Sequence, residues 1–292
     1  KICLITSTQI KKINQYMPII EEWAISNNIK KVIYITQLNT DLQYPSSIVK
    51  IRYLNSITYT IIERGLKHYK DEYIQTEINN HYNYLTYSIK PHRSYMYALL
   101  KKYKLLKYGV ISYNQHKDIS NFIPLAYLLG ITVQEYNSYI NDKIFTDLSD
   151  NPSNIYLLGT YKDYLLNVAS SAISIVAEST YSNTYIFITE KTYTNFMLKK
   201  PFLLIGDRHS LKFLQEYYGF KTFSSIWDES YDNEPDIVVR VAAIFKVTYD
   251  LCNLPLRELK DKIKQIEDIT EYNYQLYCNL PHKKFIKEVL LI

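Results

Sequence analysis

The chain has 292 residues, of which 47% are hydrophobic and 22% charged, so it has enough apolar side chains for one large core or two ordinary ones. With six glycines against 31 tyrosines, it is neither collagen-like nor a low-complexity sequence. The net charge of +5 is not concentrated in any one region. A nucleic-acid partner is therefore allowed by the charge but not required by it.

Cysteine usage and hydropathy indicate the cellular setting. Cys3, Cys252 and Cys278 are too few and too scattered for a disulfide framework, and this predicts a reducing, cytoplasmic location. The longest apolar run, residues 119–133, is interrupted by polar residues and is shorter than the roughly 20 residues that span a bilayer. We therefore predict neither a transmembrane helix nor a signal peptide.

Strand-like and helix-like segments alternate through the first part of the chain. Apolar runs predict buried strands at residues 1–6, 31–36 and 48–54. Residues 10–25 carry apolar side chains at helical spacing between the first two strands. This alternation is typical of a parallel sheet with crossover helices. A polar stretch from Asp71 to His81 interrupts it, and we place a domain boundary there, after a first α/β domain over residues 1–80.

The alternation resumes after this boundary. The predicted strands are residues 82–88, 109–112, 172–177 and 201–205. The predicted helices are residues 93–107, 162–169 and 210–218, the last of them ending at Gly219, and three more follow Pro235. The sequence thus predicts an α/β fold with a second α/β domain over residues 81–270 and a C-terminal helix over residues 271–292.

Several common active-site motifs are absent from the sequence. It contains no GxGxxG, no P-loop, no GxSxG and no HExxH. It also lacks the Asp-x-Asp pair through which one class of sugar transferases binds a metal ion and a nucleotide diphosphate. We therefore predict no metal site and disfavour a metal-dependent enzyme of that class.

The most informative segment runs from the end of one predicted strand to the start of another. The strand 172–177 is followed by Glu178, a helix begins at Thr189 with Glu190 and Lys191 in its first turn, and a buried strand follows Pro201. Ligands of open parallel sheets bind at the carboxyl ends of strands, where helix N-termini present N–H groups to anions.

Lys191 is unusual at this position because a cation there opposes the helix dipole, and a bound phosphate would remove the conflict. The alternative is a purely structural role, in which Glu190 and Lys191 form an exposed ion pair and Glu178 caps its neighbour. The spacing alone does not decide between the two.

The same residues resemble the donor-binding signature of the family 10 glycosyltransferases, the fucosyltransferases. The matching positions are Glu178-Ser179, residues 188–191 and Pro201-Phe202. The chain departs from the signature in having no Asn after Glu178 and in having Phe at the second position of the Pro strand.

A second match, at residues 85–93, is similar to the strand–Pro–x–Arg–helix segment that opens the donor domain of those enzymes, and it implies that Arg93 meets the nucleotide phosphates. The alternative for Arg93 is a surface helix N-terminus whose guanidinium contacts local carboxylates. Its neighbour His92 is a weaker candidate, as a supporting or solvated residue. The wider resemblance covers roughly residues 82 to 235 and extends to glycosyltransferase-like proteins of phages and large viruses.

The resemblance implies a GT-B glycosyltransferase, in which two Rossmann-like domains face a cleft and a nucleotide-sugar is the co-substrate, without a metal or another cofactor. Arg93, Lys191 and the helix N-terminus at Thr189 would stabilise the departing diphosphate. Glu178 and Glu190 would accept hydrogen bonds from the ribose or the base.

An inverting reaction, as in the family resembled, needs a base for the acceptor hydroxyl. We favour Asp41, in the loop after a predicted strand of the acceptor-side domain. The other carboxylates available there are Glu63, Asp71, Glu72 and Glu77.

The acceptor and two further segments are left open by the sequence. The acceptor is either a glycan or a hydroxymethylated base of viral DNA, and the alternative to an enzyme is a non-catalytic nucleotide- or nucleic-acid-binding module of the same fold. The segment from Trp227 to Asp232 either closes over a sugar or fixes the following helix. For the lysines Lys101, Lys102, Lys104 and Lys107 the sequence predicts a solvated helix face, and the alternative is a contact with phosphate or DNA.

Overall fold

A computed structural model of the chain contains two parallel β-sheets with helices between their strands. It describes residues 2–7, 13–36, 45–53, 71–86, 90–113, 130–140, 158–181 and 186–280. Every strand pair in both sheets is parallel, which confirms the predicted α/β class.

The first sheet has three strands in the order β1-β2-β3. They are β1 (Ile2–Ser7), β2 (Lys31–Thr36) and β3 (Val49–Tyr53). Helix α1 (Ile13–Ser26) packs against β2 and β3. Its buried side chains Met17 and Ala24 meet Val32, Tyr34 and Val49 of the strands in a small apolar cluster, because β-branched and aromatic residues suit the pleated surface.

The second sheet has four strands in the order β5-β4-β6-β7. They are β4 (Asn80–Leu85), β5 (Gly109–Ser112), β6 (Ser171–Ala177) and β7 (Phe202–Ile205). Strand β6 is buried at every position, as expected for an inner strand of a parallel sheet that is covered on both faces. The amide of Asn83 on β4 donates to the hydroxyl of Ser174 on β6 at 2.7 Å, so the polar side chains of the two inner strands satisfy each other.

The helices of the second half connect and cover this sheet. They are α2 (Asp71–Ile74), α3 (Pro91–Lys102), α4 (Val133–Ile140), α5 (Leu158–Ala169), α6 (Glu190–Met197), α7 (Ser210–Phe213), α8 (Ile237–Cys252), α9 (Leu256–Lys264) and α10 (Glu267–Asn279). Helix α7 continues as π-helical turns over Leu214–Tyr218. Helix α3 packs against α4 and α8, whereas α6 packs against α10. Together they enclose one large apolar core around β4, β6 and β7.

The strand order reverses between β4 and β6. From β4 the chain passes through α3 to β5 on one side, and from β6 it passes through α6 to β7 on the other. Because parallel crossovers are right-handed, these two connections cover opposite faces of the sheet. The carboxyl ends of β4 and β6 are therefore a topological switch point, with the N-termini of α3 and α6 on either side of it.

Most predicted elements of the second half agree with the structure to within a few residues. The helix predicted from Arg93 begins two residues earlier, because Pro91 occupies its first turn. Gly219 ends the helical turns at a φ of 83°, in the left-handed region that glycine adopts without strain. The helix predicted from residue 271 begins at Glu267, and its predicted end lies outside the described residues. None of the helices within the described ranges is long and apolar enough to cross a bilayer.

Candidate functional site

All of the predicted donor-binding residues lie at the switch point between β4 and β6, whereas Asp41 is outside the described residues. Glu178 and Ser179 follow β6 and accept hydrogen bonds from both helices. On one side the donors lie in the first turn of α3 and at its N-cap, and on the other side they lie in the first turn of α6 and at its N-cap. The site is thus built around two consecutive residues at the end of a buried strand.

The main chain of this segment is held by three side chains of α3 and its N-cap. His92 Nε2 donates to the carbonyl oxygen of Glu178 at 2.9 Å. Arg93 Nη2 donates to the same oxygen at 3.0 Å and to the carbonyl oxygen of Ala177 at 3.1 Å. Lys90 Nζ donates to the carbonyl oxygen of Ser179. Arg93 is only 2% exposed, and its guanidinium donates to backbone carbonyl oxygens at the end of β6, which differs from the surface position of the alternative.

The carboxylate of Glu178 is fully buried and faces α6. Its oxygens accept hydrogen bonds from the Thr189 backbone N–H at 3.0 Å, the Thr189 hydroxyl at 2.5 Å and the Thr192 hydroxyl at 2.6 Å. These three bonds compensate for the loss of water around a buried carboxylate. They are the contacts expected of the structural alternative, in which Glu178 caps its neighbour.

Thr189 is the N-cap of α6, as predicted, and its hydroxyl accepts from the Lys191 backbone N–H at 3.4 Å. The Lys191 ammonium lies 3.4 Å from the same hydroxyl oxygen and 3.3 Å from a carboxylate oxygen of Glu190. The Lys191 side chain is 20% exposed and that of Glu190 36% exposed. Lys191 is therefore bound loosely at the helix N-terminus, where solvent or a ligand can reach it.

Three cations from two helices share this region, and we call Lys90, Arg93 and Lys191 the cation group. Burial lowers the pKa of Lys90, and the charges of Arg93 and Lys191 lower it further. Burial also lowers the pKa of Arg93, although Tyr84, Glu178 and Glu190 oppose the shift. Charges act strongly only at short range, and those of all three cations lower the pKa of His92, so the cation group lies in one neighbourhood.

His92 is a neutral residue inside the cation group. Burial first and the positive charge of Arg93 second lower its pKa to about 3. A carbonyl oxygen can only accept, so the proton of the neutral ring is on Nε2 and Nδ1 is left as an acceptor. Nδ1 is buried and has no hydrogen-bond donor within the described residues. The ring contacts Tyr181, with the ring centroids 4.7 Å apart.

The segment after β7 borders the site and is held mainly by structural contacts. The Asp207 carboxylate accepts from the Thr180 hydroxyl and raises the pKa of Lys90. The Asp232 carboxylate accepts from the backbone N–H groups of Leu211 and Lys212 at 3.0 and 3.1 Å, in the first turn of α7. Trp227 is 7% exposed. These contacts favour the structural interpretation of the segment from Trp227 to Asp232.

Two further predictions concern residues away from the switch point. Asp41, the favoured base, and Glu63 lie outside the described residues, whereas Glu77 is described and is exposed. In the lysine cluster, Lys101 lies over the Tyr139 ring at 5.0 Å and Lys102 lies 3.9 Å from Glu135. Lys104 and Lys107 are exposed, as on a solvated face.

The structure brings together Arg93, Glu178, Thr189, Glu190 and Lys191, which the sequence analysis had singled out from two distant segments. Two residues of the same region were missed, Lys90 and Thr192. Lys90 lies directly before the Pro of the strand–Pro–x–Arg match, so its place at a helix start could have been noticed. The hydroxyl of Thr192 carries no comparable signal.

Comparisons with models of known protein families, with curated proteins and with solved structures find no match for this chain. The resemblance to fucosyltransferases therefore depends on the short motifs quoted above, and the candidate site depends on the geometry of the switch point.

Proposed function

We propose that the protein is a metal-independent glycosyltransferase of GT-B architecture that transfers a sugar from a nucleoside-diphosphate sugar to a hydroxyl acceptor. The observation that supports this most directly is the cation group, which gathers Lys90, Arg93 and Lys191 at the switch point between the N-termini of α3 and α6. Helix N-termini at a switch point favour anionic ligands, and three added cations strengthen that preference.

The chemistry of sugar transfer fits such a site. As the bond to the anomeric carbon breaks, negative charge grows on the diphosphate oxygen, and fixed positive groups lower the barrier to that step. Lys191 is the cation that a ligand can reach, since its side chain is 20% exposed. The buried guanidinium of Arg93 holds the end of β6 and adds its charge to the field at the site.

The carboxylates have separate parts in this proposal. Glu178 already accepts three hydrogen bonds from α6, so it fixes the helix N-terminus against the strand. Glu190 is partly exposed beside Lys191 and is the carboxylate that would accept from a ribose hydroxyl or the base. Asp41 would deprotonate the acceptor hydroxyl in an inverting reaction, and the acceptor would be a glycan or a hydroxymethylated DNA base.

The first experiment is a thermal-shift panel with UDP, GDP, CDP and ADP. A diphosphate bound by the native state raises the melting temperature, and the base that gives the largest shift identifies the donor. We expect the shift to be lost in Lys191→Met and retained in the control Lys246→Met, whose lysine is exposed on α8. A panel in which no diphosphate shifts the wild-type melting temperature would overturn the proposal.

Turnover separates the enzyme from a non-catalytic binding module of the same fold. The nucleotide-sugar that matches the best diphosphate is incubated with the protein, and release of the diphosphate is followed with and without glycan or hydroxymethylated DNA. Slow hydrolysis that an acceptor accelerates supports a transferase. Binding without any release of diphosphate under either condition supports the non-catalytic module.

A further inference from the structure

Lys90 occupies a position that suits a ligand contact. It is the N-cap of the 12-residue helix α3, with Pro91 in the first turn, and its side chain makes no capping hydrogen bond to the helix within the described residues. Its half-buried ammonium instead donates to the Ser179 carbonyl oxygen across the switch point. The ammonium therefore joins the N-terminus of α3 to the segment after β6, and it is near enough to Arg93 and Lys191 for their charges to lower its pKa.

The buried Nδ1 of His92 is the second, independent observation. Its ring is 0% exposed, its Nε2 is used by the Glu178 carbonyl, and Nδ1 meets no donor in the described part of the chain. Buried polar atoms in folded proteins nearly always have a partner, so an unpaired one needs an explanation. Because Nδ1 is an acceptor, the missing partner is an O–H or N–H group.

We propose that Lys90 and His92 form a subsite for a phosphate group with a neighbouring hydroxyl, in which the Lys90 ammonium binds a phosphate oxygen and His92 Nδ1 accepts a hydrogen bond from the hydroxyl. The subsite would bind part of the nucleoside-diphosphate donor, so this inference rests on the proposed function. The motif resemblance indicates Arg93 and Lys191 as the cations that meet the diphosphate, so Lys90 and His92 are additional residues.

The charges around the subsite agree with this ligand class. The charges of Arg93 and Lys191 disfavour the charged form of Lys90, and a phosphate beside these cations would relieve that repulsion. An ammonium that now donates to a neutral carbonyl would gain a charge-assisted hydrogen bond by exchanging it for a phosphate oxygen. A nucleoside diphosphate offers both a phosphate and nearby ribose hydroxyls, whereas inorganic pyrophosphate offers only the phosphate.

The test measures dissociation constants by calorimetry for the best-binding nucleoside diphosphate of the panel, its 2′-deoxy form and inorganic pyrophosphate. The variants are Lys90→Met, His92→Gln and the control Lys246→Met. Gln retains a donor near the position of His Nε2 and lacks the Nδ1 acceptor. Melting of each variant without ligand establishes that it is folded.

We expect Lys90→Met to weaken all three ligands by about tenfold, because each loses one charge-assisted contact. His92→Gln is expected to weaken the ribonucleoside diphosphate by about fivefold and to leave pyrophosphate unchanged. A 2′-deoxy form that already binds weakly and is insensitive to His92→Gln would identify the 2′-hydroxyl as the partner. If His92→Gln weakens binding of the 2′-deoxy form as much as binding of the ribonucleoside diphosphate, the partner of Nδ1 is another hydroxyl. Lys246→Met should bind all three like the wild type.

Two results would overturn the subsite while the proposed function survives. One is wild-type affinity in Lys90→Met. The other is an equal loss of nucleoside diphosphate and pyrophosphate in His92→Gln, which would mean that His92 only supports the backbone. If His92→Gln does not fold, the Lys90 arm decides. Absence of any diphosphate binding by the wild type would instead overturn the proposed function and the subsite together.

Discussion

Arg93 and Lys191 are both cations at the switch point, but their burial and contacts give them different effects on stability. Arg93 is 2% exposed and donates to two backbone carbonyls at the end of β6, whereas Lys191 is partly exposed and pairs with an adjacent glutamate. A lysine in place of Arg93 retains the charge but cannot reproduce the planar fork. We therefore expect Arg93→Lys to lower the free energy of unfolding by about 1 to 3 kcal/mol.

Lys191→Met is expected to change the same free energy by less than about 0.5 kcal/mol, because a partly exposed ion pair between adjacent residues contributes little and a cation opposes the dipole at a helix N-terminus. Urea unfolding of both variants beside the wild type measures the difference. An Arg93→Lys variant as stable as the wild type would show that the buried guanidinium does not hold the strand end.

His92 makes the free energy of unfolding depend on pH in the acidic range. Its pKa is about 3 in the folded protein, mainly because it is buried, against about 6.5 for an unperturbed histidine. As the pH falls from about 6.5, the unfolded chain takes up a proton that the folded ring refuses, so stability falls by up to ~1.4 kcal/mol per pH unit until the folded pKa is reached.

We expect His92→Gln to reduce this acid slope by about one proton, measured as the free energy of unfolding between about pH 6 and about pH 4. The matched control is His81→Gln, since His81 also bonds a backbone carbonyl, that of Leu254. An acid slope unchanged by His92→Gln would mean that the ring is protonated in the folded protein.

At the scale of elements, the carboxylate of Glu178 joins the start of helix α6 to the end of strand β6. Glu178 follows the strand and accepts from Thr189 and Thr192 in the helix start. Thr192→Val retains the shape of the side chain and removes one hydroxyl that donates to a charged group. We expect a loss of about 1 to 3 kcal/mol in the free energy of unfolding. Thr192→Ser, which retains the hydroxyl and removes the methyl group, should lose less, and a larger loss in Thr192→Ser than in Thr192→Val would show that packing of the methyl group outweighs the hydrogen bond.

The elements of the fold were largely predictable because their boundaries depend on local chemistry. Strand β2 and strand β5 have the predicted limits, and Thr189 is the predicted N-cap. Strand β4 begins at Asn80 rather than Tyr82 because Asn80 pairs with Ser171 of β6, and a sequence does not show such a pairing.

The site was predictable in position but not in orientation. A strand end followed by Glu178 and a helix start with Arg93 indicated a site at the carboxyl end of a parallel sheet, and the strand order then identified that place as the switch point. Whether each side chain faces the protein or solvent depends on the long-range packing of α3 and α6 against β6. For that reason Glu178 and Arg93 have contacts within the protein that their spacing did not show.

At the scale of the whole molecule, buried ionisable groups set the pH range in which the protein is most stable. Lys200, at the start of β7, is 7% exposed, and burial lowers its pKa to about 8. The unfolded chain then holds this proton more tightly than the folded one, so stability rises as the pH increases from about 8 towards 10.5. Cys252 acts in the opposite direction, because burial raises its pKa to about 12 and stability is lost as the pH rises above about 9.

Between about pH 8 and about pH 9, Lys200 changes the stability with pH and Cys252 does not yet do so. In that window we expect the wild-type free energy of unfolding to rise by roughly 1 kcal/mol, and the rise to vanish in Lys200→Met. At about pH 7 the same variant should be more stable than the wild type, because Lys200 is then a buried charge whose pKa burial lowers, and an apolar chain of similar length replaces it. Lys246→Met, which removes an exposed lysine, should retain the rise. A Lys200→Met variant that is less stable at about pH 7 would show that the folded protein stabilises the Lys200 ammonium.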